Sequence, residues 1–463
     1  MILILLSIAG ILYFALQLED RFKIPSPLGL ISLSFIFHYF LHAAPLFTGN
    51  PADFAVLVLF LLPVLLIADS LELNIKDLKE NGLSLFYLSV VAVALSVATA
   101  IFTADFIFGD YHLSAAAVIV LFAMVLATDP VSVVSIFSKF TLPHRLKILA
   151  EGESLFNDAT ALVIFVFIGL YALDGNEITV TYVSEISLIV ILGSTALGVA
   201  VGYLGLLVLK TTDNRVAEMM IMLCTGYGAF ELAEHFYTLL NAFGGHSHMH
   251  LSGILSCIIA TITVHHMMTK ALNNETRQLN ADEEALQQVA QITKPSRNII
   301  NGILRKIKAT VVERDRHIRT KEDIQLLAII ANTILFIAMA EIVNLEQLWR
   351  YKTEIIGMFL ATTVIRALMM GKFAIITNQT TKMTSINFRW WGILTFAGIK
   401  GGLSVVMLMM IPPSFEHLQM FQAVVIGVIL LSTFIYSAIL IAIITKNKAI
   451  FALEKEGEKH DLV

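Results

Sequence analysis

Two pairs of oxygen-bearing side chains interrupt stretches that are otherwise hydrocarbon. Thr128 and Asp129 stand in Ala127-Thr128-Asp129-Pro130, and Ser154 and Asp158 stand in Glu151-Gly152-Glu153-Ser154-Leu155-Phe156-Asn157-Asp158. An ionised group at the centre of a bilayer helix costs about 2.5–3.5 kcal/mol on insertion scales, so acids at that depth mark candidate functional sites. On a helix, Ser154, Asp158 and Glu151 share one face, flanked by Glu153 and Asn157. Hydroxyl, carbonyl and carboxylate oxygens are hard ligands suited to an alkali cation such as Na+. Without His or Cys adjoining, zinc and copper are disfavoured. Burial favours the protonated form of a carboxylate and a bound cation favours the ionised form, so proton and cation compete for Asp158. If the protonated and cation-loaded forms switch sides and the empty anion does not, exchange follows. The bland alternative is interhelical hydrogen-bonding glue, which two aspartates beside a helix break disfavour.

The elements that hold these residues must be membrane helices. Of 463 residues, 57% are hydrophobic and 14% charged, with mean hydropathy +0.80, against about 25% charged in soluble proteins. Cys224 and Cys257 both lie in apolar runs and form neither a disulfide framework nor a metal spacing. The start, 1–17, lacks a basic leader and a cleavage site and reads as a first span. Apolar runs of membrane-spanning length predict an all-α polytopic fold of about 13 transmembrane helices. Alternate loops carry the positive charge: the opposite loops hold only Arg350 and Lys352, and Arg366 and Lys400 fall inside spans, leaving the rest of the 31 Lys and Arg on one side. The positive-inside rule then puts the N-terminus outside and the C-terminus in the cytoplasm, as in a multi-pass protein of the cell (inner) membrane. The expected partner is the lipid bilayer, not nucleic acid, and no cofactor is called for beyond the transported ions.

Proline lacks an N–H and clashes with the carbonyl four residues back, so the fifth span, 113–137, should break at Asp129-Pro130. The twelfth, 390–411, carries Gly398-Ile399-Lys400-Gly401-Gly402, a second poor helix centre. Two six-span blocks in opposite orientation flank the seventh span, which predicts inverted six-helix repeats with discontinuous, crossed fifth and twelfth helices. Such interruptions in matching spans point to a transporter binding site. Lys400 reads as the charge compensating the helix breaks. Arg366, mid-way along the eleventh span, needs a carboxylate, and the Glu-Gly-Glu stretch offers Glu151 by periodicity; the pair would be structural. Asp69 and Glu72, at the end of the third span, are candidate entry residues. His246, His248 and His250 read as a polar outer loop, and the in-span His265-His266 has no acid nearby to support catalysis; the chain is not expected to be an enzyme. The segment 269–323 reads as a long cytoplasmic loop. Within it Ile299, Ile300, Ile303, Leu304 and Ile307 recur at helical spacing, as in a helix lying on an anionic leaflet or in a solvated connector.

These residues resemble the NhaP/NHE-type monovalent cation:proton antiporters. Thr128-Asp129-Pro130 is similar to that family's TDP break, Gly152-Glu153-Ser154 with Asn157-Asp158-Ala159 to its GES-x-x-NDA motif, and Arg366-Ala367-Leu368 to its arginine helix. Gly398 to Ser404 is similar to its GLRGALS motif, with Lys400 replacing the usual arginine, an exchange that is not conservative for hydrogen bonding. The resemblance implies an Na+/H+ antiporter serving pH homeostasis. Asp158 would hold the proton or the cation, with Thr128 (through its backbone), Asp129 and Ser154 completing the site. Asn157 would mark the electroneutral branch, and Glu153 rather than Glu151 would partner Arg366. It also implies a homodimer. Dimerisation helices would occupy 1–82, 211–268 and 324–343, transport-core helices 83–181 and 344–445, a linker helix 182–210, and a cytoplasmic loop and tail 269–323 and 446–463. Where the family has an acid in the third span, a gap-free reading gives Ala68, with Asp69 next to it. K+/H+ exchange is an alternative. A cation channel is another, though channels usually line their filters with repeated carbonyl loops or rings of charge.

Overall fold

The structure is a computed structural model that describes residues 2–22, 25–41, 51–242, 250–292, 297–342, 344–380 and 383–460. Every element among these residues is a helix. The helices are α1 (Ile2–Phe22), α2 (Ser26–Leu41), α3 (Pro51–Ser70), α4 (Ile75–Tyr111), α5 (Ala115–Leu126) and α6 (Pro130–Phe137). There follow α7 (His144–Leu173), α8 (Val180–Leu209), α9 (Arg215–Glu234), α10 (Phe236–Ala242), α11 (Gly253–Ile292) and α12 (Arg297–Ile342). The last are α13 (Leu345–Arg350), α14 (Lys352–Asn378), α15 (Phe388–Phe396), α16 (Gly402–Met409), α17 (Leu418–Lys446) and α18 (Lys448–His460). Each apolar run of the sequence falls on one of these helices or on a consecutive pair. Among the described residues nine segments are long and apolar enough to cross a membrane, with shorter apolar helices at Ser26–Tyr39 and Leu59–Ser70. The twelfth run is split between α15 and α16.

Local sequence sets the starts. Ser114 accepts a hydrogen bond from the Ala117 N–H at 3.2 Å, Asn214 from Val216 at 2.8 Å and Asn387 from Trp390 at 2.9 Å, each satisfying a donor that the first helical turn leaves without a partner. The segment 269–323 departs from the loop expected of it. It continues α11 as far as Ile292 and begins α12 at Arg297. Ile303–Ile342 contains neither proline nor glycine, so nothing stops the tenth span from extending through the charged stretch. The side chains of Ile299, Ile300, Ile303, Leu304 and Ile307 are outside the described residues, as are His246 and His248.

The chain divides into two compact units, one of residues 1–62, 76–188 and 330–463, the other of 63–75 and 189–329. In the first, α5 is buried on every side from Ala117 to Leu126 and packs against α4, α7, α16 and α17. A helix apolar all round belongs at the centre of its domain. In the second, α8 meets α11 through glycines: a Cβ on Gly198 would stand 2.7 Å from the Ser256 carbonyl oxygen, and one on Gly202 2.8 Å from that of Ala260. Small residues that let backbones approach this closely are how membrane helices associate. Both units turn large apolar side chains outward, including Phe102 and Phe106 on α4 and Leu204 and Leu207 on α8, a surface suited to hydrocarbon.

Candidate functional site

The site lies within the first unit, where two interrupted helices meet. Pro130 occupies the first turn of α6, where its missing N–H costs nothing. Residues 127–129 leave helical geometry. The Asp129 N–H donates to the Ile399 carbonyl across the other break at 2.7 Å. Gly401 permits this crossing: a Cβ there would lie 2.5 Å from the Asp129 Cβ. Beside it, the Lys400 N–H donates to Ser432 Oγ at 3.1 Å, and Ser432 Oγ donates to the Ile429 carbonyl.

Breaking a helix creates two new ends whose backbone groups need partners and whose dipoles carry partial charge. Three of the four ends at the two breaks meet a side chain of the opposite sign. At the C-terminal end of α5, the Leu126 carbonyl accepts from Lys400 Nζ at 3.3 Å and Asn157 Nδ2 at 2.9 Å. At the C-terminal end of α15, Arg366 donates through Nε to the Thr395 carbonyl and through Nη2 to that of Leu394, both at 3.0 Å. At the N-terminal end of α6, Asp129 accepts from the N–H groups of Val131 and Ser132 at 3.2 and 3.3 Å and from the Ser132 hydroxyl.

Asp158, on α7, faces the first break: its Oδ1 accepts from the Thr128 N–H at 2.9 Å. Thr128 Oγ1 accepts from Ser154 Oγ at 2.8 Å and from Asn157 Nδ2 at 3.1 Å. Among the described residues Asn157 Oδ1, though buried, receives no hydrogen bond. Thr128, Asp129, Ser154, Asn157 and Asp158 are all under a tenth exposed. The arrangement gathers carboxylate, hydroxyl and amide oxygens in a buried space, a donor set able to hold a proton or an alkali cation.

Glu153, buried to 1% exposure, receives both Arg366 Nη atoms at 3.0 and 2.7 Å. That bidentate geometry makes it, rather than the periodicity candidate Glu151, the partner of Arg366. Asp69 and Glu72 belong to the second unit, where Glu72 pairs with Lys321 at 3.0 Å and accepts from Gln325. His265, expected to stand apart from any acid, contacts His317 at 3.1 Å, and His317 reaches the fully buried Glu218, which also accepts from Arg316 Nε at 2.7 Å. The acid is distant in sequence, so local spacing gave no signal. Arg366's role at the end of α15 was missed too; an arginine mid-span together with a downstream break is the pattern that signals it.

Three comparisons bear on identity. The family described as "Sodium/hydrogen exchanger, transmembrane" matches residues 3–278. The Na(+)/H(+) antiporter ApNhaP of Aphanothece halophytica is 23% identical over 391 residues, covering 83% of this chain and 63% of that protein. The Na(+)/H(+) antiporter NhaG of Bacillus atrophaeus is 32% identical over 197 residues, 40% of this chain and 35% of that protein. The chain thus spans less than two thirds of the length of these relatives. The solved structure of the sodium proton antiporter MjNhaP1 from Methanocaldococcus jannaschii shares the fold, with TM-score 0.70 at 15% identity over 94% of this chain and 97% of that one.

Proposed function

Because the chain belongs to the transmembrane sodium/hydrogen exchanger family, we propose that it is a secondary antiporter moving Na+ or Li+ against H+ by competition at Asp158. The observation that carries this reading is a charge imbalance. Among the described residues of the first unit, the buried carboxylates are Asp129, Glu153 and Asp158 and the buried basic side chains Arg366 and Lys400. Fully ionised, these leave one negative charge, which one proton or one monovalent cation neutralises. An uncompensated buried charge is expensive, so the empty site resists crossing and each loaded form does not. One-for-one, electroneutral exchange by alternating access follows. Asp158 holds the exchanged ion. Thr128, Ser154 and Asn157 Oδ1 lend oxygens. Asp129 fixes the break, and Lys400 and Arg366 balance the remaining charge.

The transporter works as a homodimer in the cell membrane, its C-terminus in the cytoplasm and its core helices moving against a dimerisation domain. The test is purified protein in proteoliposomes carrying a pH-sensitive dye, pulsed with Na+, Li+ and K+. The reading predicts dequenching with Na+ and Li+ that valinomycin leaves unchanged. Response to K+ alone assigns the alternative exchange, and ohmic currents would contradict coupled transport.

A further inference from the structure

On α18, Phe451, Glu454 and Glu458 recur at positions i, i+3 and i+7 and so share one face, buried at Phe451 and partly exposed at the two glutamates. Phe451 is wholly buried and anchors the helix. The two glutamates then make contacts that a solvated tail has no reason to make. Glu458 accepts from the backbone N–H groups of His144 at 2.6 Å and Arg145 at 3.3 Å, the first two residues of α7. Pro143 precedes them and provides no side-chain cap, so a carboxylate 314 residues away in sequence does what a local Ser or Asp does elsewhere, with the favourable sign for a helix N-terminus. Glu454 gathers the start of α15: Oε1 accepts from Asn387 Nδ2 at 3.2 Å and Arg389 Nη2 at 2.7 Å, and Oε2 from Trp390 Nε1 at 2.9 Å.

The helices so fastened are the one bearing Asp158 and the one leading into the Lys400 break. Further along they are fastened again, where Arg366 bridges Glu153 of α7 to the Leu394 and Thr395 carbonyls of α15. We infer that Glu454 and Glu458 are positioning residues: α18 clasps the near ends of α7 and α15, so that the two-point attachment fixes Asp158 against the crossed breaks. Asp158 lies about 20 Å along α7 from the clasped end at 1.5 Å per residue, so the glutamates act through the helices and not on the ion. The inference rests on the exchange reading above for its functional consequence, though not for the clasp itself.

The experiment compares the full-length protein with its Glu454→Ala/Glu458→Ala and Glu454→Gln/Glu458→Gln variants. In proteoliposomes the alanine variant raises the KM for Na+ by about tenfold, the lower end of the cost of losing a residue that orients an ion site from outside its first ring of ligands, with the maximal rate per folded molecule retained. The glutamine variant, keeping acceptor oxygens, recovers most of the wild-type KM. A merely structural role would lower the amount of active protein and leave KM alone, which would overturn the inference. In detergent, amide hydrogen exchange at His144 and Arg145 accelerates in the alanine variant; unchanged protection there would also overturn it. A wild-type protein that moves no protons with Na+ would remove the exchange reading, and the amide measurement would still decide the clasp.

Discussion

Asp129 and Asp158 are the same residue type held in different ways. Asp129 accepts three hydrogen bonds at the start of α6, while among the described residues Asp158 accepts one, from Thr128. The carboxylate with fewer fixed donors has lone pairs left for an exchanged ion. Asp158→Asn therefore inserts and folds, with detergent melting near that of the wild type, yet gives no Na+-dependent dequenching; retained exchange would remove Asp158 from the mechanism. Arg366→Ala strands Glu153 in the interior and leaves two carbonyls of α15 without donors. Breaking a buried pair costs about 3–5 kcal/mol, so this variant melts well below the wild type, and an unchanged melting temperature would contradict the pair's structural role. The residues of the site were legible because polar groups are conspicuous in hydrocarbon. Their partners were less so. Periodicity pointed to Glu151 as readily as to Glu153, and only the packing of α7 against α14 and α15 separates them.

At the scale of elements, the breaks after Leu126 and Phe396 follow from Pro130 and from Gly398, Gly401 and Gly402, and the sequence placed them correctly. Their union is a tertiary fact: the Asp129–Ile399 backbone bond joins residues far apart in the chain. Gly401→Ala drives a methyl into Asp129, so it loses exchange, whereas Gly82→Ala, where a Cβ meets nothing within 4 Å, leaves transport and melting unchanged. Equal behaviour of the two variants in the dye assay would refute the close crossing. Two elements escaped the sequence. The stretch 269–323 reads as a loop because its charges mask the end of α11 and the long start of α12, which from Ile303 on lacks breakers. The charged tail hid α18, whose fastening glutamates are invisible to a count of Lys and Arg.

At the scale of the molecule, the alternation of Lys and Arg predicts a membrane orientation that is open to labelling. A single cysteine at Lys455, in a background with Cys224 and Cys257 replaced by serine, reacts with an impermeant maleimide only in inside-out vesicles; reaction in right-side-out vesicles would reverse the assignment. The central claim is that one buried negative charge serves one proton or one cation in turn. Its most direct test is the KM for Na+ measured against pH at saturating rate. If proton and cation exclude each other at a single carboxylate, binding the metal must release the proton, so KM rises about tenfold for each unit of acidification below the carboxylate's titration range while the maximal rate holds. A KM independent of pH, with the maximal rate falling instead, would contradict the account.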